Sequence, residues 1–425
     1  MLIDIRKVAA SRFLRDAASL GGGTALSQLI AIGSLPVLAR LYTPEEFGIL
    51  ALYVAIAQVL SVFSTLKLEQ MIMLPDSNVD AAGLLVAIFF CSFVFSLTTA
   101  LIMTLLVVPV LSFMDVDVGF WIYLLPVSFF FSGIYHGLRF WQMRQRNFRL
   151  VSVGLVSAIT AGTVLSIMVG VWGFGAFGLI IGYIVQGIVN TAVMLYGIRK
   201  HKEYFSKLNI TRVVRSVSPH KKMMSSLIIS HGISSSSMRI PVFAIGGFFG
   251  NSVLGFYSLA DRIVSAPVQL ISDALGDVYR QRASVSWRRE GFFFDIYWKT
   301  LAVTTFVGVP IFLSAIFVAP ELFVIVLGEE WCISGEYAQI LLVAALAGFI
   351  TTPVDKGAVI VGANRFIVWW NLARLGGVVA VVTIAYIFDL EIYTLIWLLV
   401  INKVIIYLVN AMYEYGFSLG NKKMV

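Results

Sequence analysis

Twelve apolar stretches of roughly twenty residues or more follow one another along this chain. That is the length a helix needs to cross a lipid bilayer. They fall at about 17–41, 46–66, 81–111, 118–139, 150–172, 175–198, 223–249, 252–276, 299–327, 337–362, 366–388 and 392–415. In hydrocarbon every backbone N–H and C=O has to be satisfied internally, so only helices and closed barrels can span it. Blocks of this length select helices. Composition agrees, with 59% of the 425 residues hydrophobic and 13% charged, against about 25% charged in a soluble domain. The expected fold class is an all-α polytopic membrane protein.

The net charge of +8 would point to nucleic acid if it were spread over one face. Instead the basic residues recur in alternate gaps, and nucleic acid is not an expected partner. With the N-terminus inside, the inner loops hold Arg139, Arg144, Arg146 and Arg149, then the run Arg199 to Lys222, then Arg280, Arg282, Arg288 and Arg289, and last Lys422 and Lys423. The outer loops hold Glu45, Glu46, Asp115, Asp117, Glu329, Glu330, Glu336, Asp389 and Glu391. Lys/Arg bias in short loops sets orientation, and twelve spans with both termini cytoplasmic satisfy it at every turn. The lead-in Met1 to Asp16, with Arg6, Lys7, Arg12 and Arg15, reads as basic and amphipathic, and the apolar block behind it is too long for the core of a cleavable signal.

The basic stretch 201–222 divides the chain into a six-helix half at 1–200 and another at 223–425. A short internal repeat supports the division. Phe47-Gly48-Ile49-Leu50-Ala51-Leu52 resembles Leu254-Gly255-Phe256-Tyr257-Ser258-Leu259, each opening the second helix of its half. The helix before each carries a proline, Pro36 or Pro241, the expected bend points. Halves with an even number of helices enter from the same side, as parallel repeats do.

Six cations interrupt the apolar spans: Arg40, Arg239, Arg262, Lys356, Arg374 and Lys403. A charge in the bilayer core costs about 2.5–3.5 kcal/mol on the mildest scales, so such residues face protein or water. In the eighth span Ser258, Arg262, Ser265, Gln269, Ser272 and Gly276 recur at three- and four-residue steps and share one face. Asn371 with Arg374, and Lys403 with Asn410, share faces in the last two spans. The acids Asp261, Asp273 and Asp355 can each pair with a cation and stitch helices together. Three acids leave the five cations of the second half in surplus, which implies a cavity that accepts an anion. Arginine's planar fork suits phosphate, so Arg262, Arg239, Arg374, Lys356, Lys403 and Arg40, with Gln269 and Asn371, are the expected substrate-binding residues. Asp261, Asp273 and Asp355 are also candidates to couple a proton or sodium gradient; no other cofactor is expected.

Other signals carry less. Gly21-Gly22-Gly23 lacks a following GK[ST] and is no phosphate loop. Among Gly173, Gly175, Gly178, Gly182 and Gly187 one GxxxG spacing predicts close helix contact. Phe292, Phe293 and Phe294 read as an interfacial segment. Cys91 and Cys332 imply neither disulfide nor metal site, and no paired carboxylates or nucleophile with its base point to an enzyme.

The opening segment, Leu20 to Gln28 and then Leu35-Pro36-Val37-Leu38-Ala39-Arg40-Leu41-Tyr42-Thr43-Pro44-Glu45-Glu46-Phe47-Gly48, resembles the Wzx-type polysaccharide flippases of the multidrug/oligosaccharidyl-lipid/polysaccharide (MOP) exporter superfamily. Lys67-Leu68-Glu69-Gln70-Met71-Ile72 resembles the family's segment after the second helix. The resemblance implies two six-helix lobes around a central cavity that opens to either side in turn, in a bacterial inner membrane. It implies movement of an undecaprenyl-pyrophosphate-linked oligosaccharide to the outer leaflet, and partners in a polysaccharide polymerase and chain-length regulator. No fixed substrate motif comes with it, so the site residues rest on charge. An ion-coupled drug exporter of the same superfamily is the alternative; a lipid II flippase fits twelve spans less well than fourteen.

Overall fold

Among the described residues eleven helical segments are long and apolar enough to cross a bilayer. One of them, Ile210–Glu290, runs 81 residues and breaks at Gly250, whose φ of 85° is non-helical. At 1.5 Å per residue it would be about 120 Å long, four times the hydrocarbon thickness. It therefore serves as two spans, and the number is the expected twelve. The computed structural model describes residues 19–107 and 119–420. The lead-in Met1 to Asp16, Asp115, Asp117, Lys422 and Lys423 lie outside the described residues.

The spans are α1 (Ser19–Leu41), α2 (Pro44–Ser64), α3 (Asn78–Val107), α4 (Phe120–Arg144) and α5 (Phe148–Val171). Then come α6 (Ala176–Ile198), α7 (221–249) and α8 (251–290). Last are α9 (Phe294–Leu327), α10 (Glu329–Val361), α11 (Arg365–Ile387) and α12 (Ile392–Ser418). No strand occurs among the described residues. α8 runs well past the expected end at 276 and α9 starts five residues early. Neither glycine nor proline interrupts 277–290, so the helix continues into its polar tail until Gly291, at φ 76°, ends it. Hydropathy locates a span but not the helix that carries it.

The described residues divide into two compact units, one of 19–42 with 52–232 and one of 43–51 with 233–420. The stretch 201–222, expected as a linker, is folded into the first unit. Its helices Lys202–Ser206 and Ile210–Val217 bring Phe205, Leu208 and Val213 onto a core of Leu84, Leu85, Ile134, Leu138 and Trp141. Asn209 caps the second of them by accepting from Arg212 N–H at 2.8 Å, and Arg212 pairs with Asp80 at 3.1 Å. The GxxxG expectation holds. A Cβ on Gly162 would lie 2.5 Å from the Gly182 carbonyl, and one on Gly182 would lie 2.7 Å from that of Gly162, so α5 and α6 meet backbone to backbone. Buried polar groups tie further helices: Tyr42 donates to Ser166 O at 2.6 Å and Gln142 to Met194 O at 2.9 Å.

The second unit contains the internal repeat, and its two copies touch. Aligning Phe47 with Leu254 makes Pro44 equivalent to Asn251 and Gly48 to Gly255. A Cβ on Gly48 would collide with the Asn251 carbonyl, and one on Gly255 with that of Pro44. Phe47 and Phe256 both meet the edge of buried Trp331, at centroid distances of 5.2 and 5.9 Å. The aromatic segment differs from expectation. Phe293 is 1% exposed and packs with Tyr279, Tyr297, Val354 and Phe417, because the turn at Gly291 swings it into the core rather than the interface. Pro36 follows a one-residue interruption of α1 at Ser34, whereas Pro241 sits within unbroken helix.

Candidate functional site

α10 is the helix that breaks. It runs as Cys332–Thr351, tightens into a 3-10 turn over Thr352–Val354 at Pro353, and resumes at Gly357–Val361. Asp355 and Lys356 occupy the gap, and Lys356 Nζ lies 3.1 Å from Asp355 Oδ1. Resumption of the helix exposes fresh N–H groups, which need acceptors. Glu414 of α12, 2% exposed, supplies them: Gly357 N–H donates to it at 2.7 Å and Ala358 N–H at 3.3 Å. Asp355 also interacts electrostatically with Arg374 and Asp273. The break therefore gathers three of the expected site residues, Asp355, Lys356 and Arg374, with Asp273 at the rim. Ser272 Oγ and Tyr279 OH of α8 are buried without a hydrogen-bond partner among the described residues.

A second group lies at the α7–α8 side of the unit. Tyr257 interacts electrostatically with both Asp261 and Arg239, and Ser265 donates to Asp261 Oδ1 at 2.9 Å. Arg239 and Asp261 are partly buried. Arg262, one residue on, is exposed. Gln269 and Lys403 are exposed, and Asn371 is partly buried; among the described residues no hydrogen bond or ion pair joins these three to the groups above. Arg40 is exposed in the last turn of α1, in the first unit.

Sequence reasoning missed Glu414. It sits near the end of its span, where an acid is expected to reach water, and nothing in the sequence reveals the break that puts two amides against it. With Glu414, and with Glu321 of α9, the five cations of the second half face five acids rather than three, so the surplus counted from the sequence does not survive. The first unit holds a further buried charge that sequence reasoning used only as part of a motif, Glu69, at 4% exposure.

The chain aligns over 98% of its length with 98% of a Vibrio cholerae MATE transporter, at a TM-score of 0.61 and 13% identity. It aligns over 97% with 96% of a MOP superfamily transporter from Pyrococcus furiosus, at 0.59 and 13%. At such identity the likeness defines the fold. Sequence supplies the family: residues 37–334 match the model of the polysaccharide biosynthesis proteins, and the chain belongs to that family. It is 24% identical to the succinoglycan biosynthesis transport protein ExoT of Rhizobium meliloti over 87% of this chain and 74% of that one. It is likewise 24% identical to the lipopolysaccharide biosynthesis protein WzxC of Escherichia coli over 78% and 68%. The resemblance read from Leu20 to Ile72 is thereby borne out: this is a multi-pass membrane protein of the Wzx-type polysaccharide flippases.

Proposed function

We infer that the chain carries an undecaprenyl-pyrophosphate-linked oligosaccharide from the cytoplasmic to the periplasmic leaflet of a bacterial inner membrane, both its termini being cytoplasmic. The pyrophosphate and sugars enter a cationic space while the polyprenyl tail stays in lipid, and the two lobes open to either side in turn. The match of residues 37–334 to the polysaccharide biosynthesis proteins is the observation that carries this reading, and the planar guanidinium of Arg262 is suited to replace the hydration of a phosphate. Arg239, Arg374, Lys356, Lys403 and Arg40 add positive potential, and Gln269 and Asn371 offer hydrogen bonds to sugar hydroxyls. A proton or sodium gradient held by Asp261, Asp273 or Asp355 biases two conformations that differ by only a few kcal/mol, with Pro36 and Pro241 as bends. A polymerase and a chain-length regulator take the product.

The likeness to MATE transporters raises drug export as the second reading, but at 13% identity that likeness speaks for the fold, whereas the family match is to polysaccharide biosynthesis proteins. Arg262→Ala should abolish surface glycan at unchanged protein level, and lipid-linked oligosaccharide should accumulate on the cytoplasmic side. Normal glycan in that variant would remove Arg262 from the mechanism. Unchanged precursor pools in a deletion strain would favour the exporter.

A further inference from the structure

The first unit holds a charged cluster that takes no part in the reading above. α2 ends at Ser64 and the chain passes through Leu66 and Lys67 at φ 51° and 57° before the 3-10 turn Leu68–Met73. Two successive non-glycine residues in the left-handed region are held there against strain, and such strain gathers at ligand sites. Lys67 Nζ lies 3.4 Å from Glu69 Oε1. The other carboxylate oxygen, Glu69 Oε2, is shielded and has no hydrogen-bond partner among the described residues. α4 contributes His136 and Arg139, and α7 contributes His231. His136 interacts electrostatically with Glu69, Lys67 and Arg139, and His231 with Lys67 and Glu69. Gln70 Nε2 is 2.9 Å from His231 Nε2. Arg139 is hydrogen-bonded to Tyr135, yet its Nε is buried without an acceptor.

One carboxylate therefore serves Lys67 and two imidazoles, and Arg139 adds a second permanent cation beside His136. The other nearby acids are engaged: Asp80 with Arg212 at 3.1 Å, and Asp76 with the charge of Arg144. A buried N–H without an acceptor and a buried carboxylate oxygen without a donor are both costly. Here they occur in one cluster and have not met. The donor excess is completed by a ligand that brings several acceptor oxygens of its own. A diphosphate does this, and it competes with Glu69 for Lys67.

We propose that Lys67, Arg139 and His231 form an anion-receiving site for a diphosphate, and that Glu69 is a built-in placeholder holding Lys67 until the ligand displaces it. That the diphosphate is the headgroup of a polyprenyl lipid rests on the function inferred above; the site itself does not. The strained turn 66–67 is what moves when Lys67 changes partner.

The test uses the full chain in lipid nanodiscs with inorganic pyrophosphate as probe, read by calorimetric titration. Wild type should bind. Lys67→Gln and Arg139→Gln should each weaken binding about tenfold or more, while Glu69→Gln should tighten it about tenfold by removing the competitor. Binding by Lys67→Gln and Arg139→Gln equal to wild type, or binding by Glu69→Gln that is unchanged or weaker, overturns the proposal. If the cation variants fail to give a monodisperse protein, Glu69→Gln decides alone, since a purely structural role predicts no gain. In a second arm, polyprenyl diphosphate in the nanodisc should compete with pyrophosphate, whereas polyprenyl monophosphate should compete weakly. Absence of competition by the lipid overturns the headgroup assignment. Glycan export that proceeds with no pyrophosphate response overturns the site and leaves the flippase standing. A full response in a chain that exports no glycan does the reverse.

Discussion

Each unit buries one glutamate beside a broken or strained helix end, and the two are treated differently. Glu414 faces the resumed helix at Gly357, and both its oxygens accept from backbone amides, at 2.7 and 3.3 Å. Glu69 faces Lys67 with one oxygen at 3.4 Å, and its other oxygen has no hydrogen-bond partner among the described residues. A saturated buried carboxylate is part of the scaffold, because removing it strands the donors it served. An unsaturated one is held in reserve, because its environment already tolerates an unmade bond. The comparison separates structural from functional charge more sharply than position in the span does.

The largest expected effect that can break this comparison is at Glu414. Replacing it with Ala leaves two buried amides without acceptors and should cost about 3 kcal/mol, with a lower melting midpoint and loss of monodisperse protein in detergent. A stable Glu414→Ala protein would remove the distinction. Glu69→Gln should cost somewhat less, about 2 kcal/mol, because the amide keeps the shape and a dipole toward Lys67 but leaves that cation without its counter-charge; the same melting assay reads it. Smallest is the pair at the α10 break. Lys356 and Asp355 are 31% and 37% exposed, so a double-mutant cycle through Lys356→Met and Asp355→Asn should give a coupling of at most about 1 kcal/mol. A larger coupling would place that pair with Glu414 in the scaffold.

Most of the fold was legible because membrane spans are written in long apolar runs that no tertiary contact can override. The GxxxG spacing around Gly182 and the repeat at Phe47 and Leu254 were legible for a related reason: close backbone approach admits glycine and little else. What could not be read depends on where helices stop. The arginines from Arg280 to Arg289 mark the membrane surface, but nothing from Asp277 to Glu290 stops a helix, so α8 outlasted its apolar length. Pro353 signals a break, but the partner Glu414 lies 57 residues beyond Gly357, where the helix resumes. Lys67 and Glu69 look like a solvated loop in sequence, two residues apart with opposite charge. Only the packing of α4 and α7 around them buries the pair and brings His136, Arg139 and His231 to it. Charge counting in sequence found the cations and missed the acids that the fold turns inward.

The meeting of Gly48 with Asn251 and of Gly255 with Pro44 has a consequence for ancestry. Under the repeat alignment the first contact becomes the second when the copies are exchanged, which is the signature of an isologous dimer interface. A six-helix ancestor with this glycine would have paired with itself through the same patch, and tandem fusion would have locked that dimer into one polypeptide.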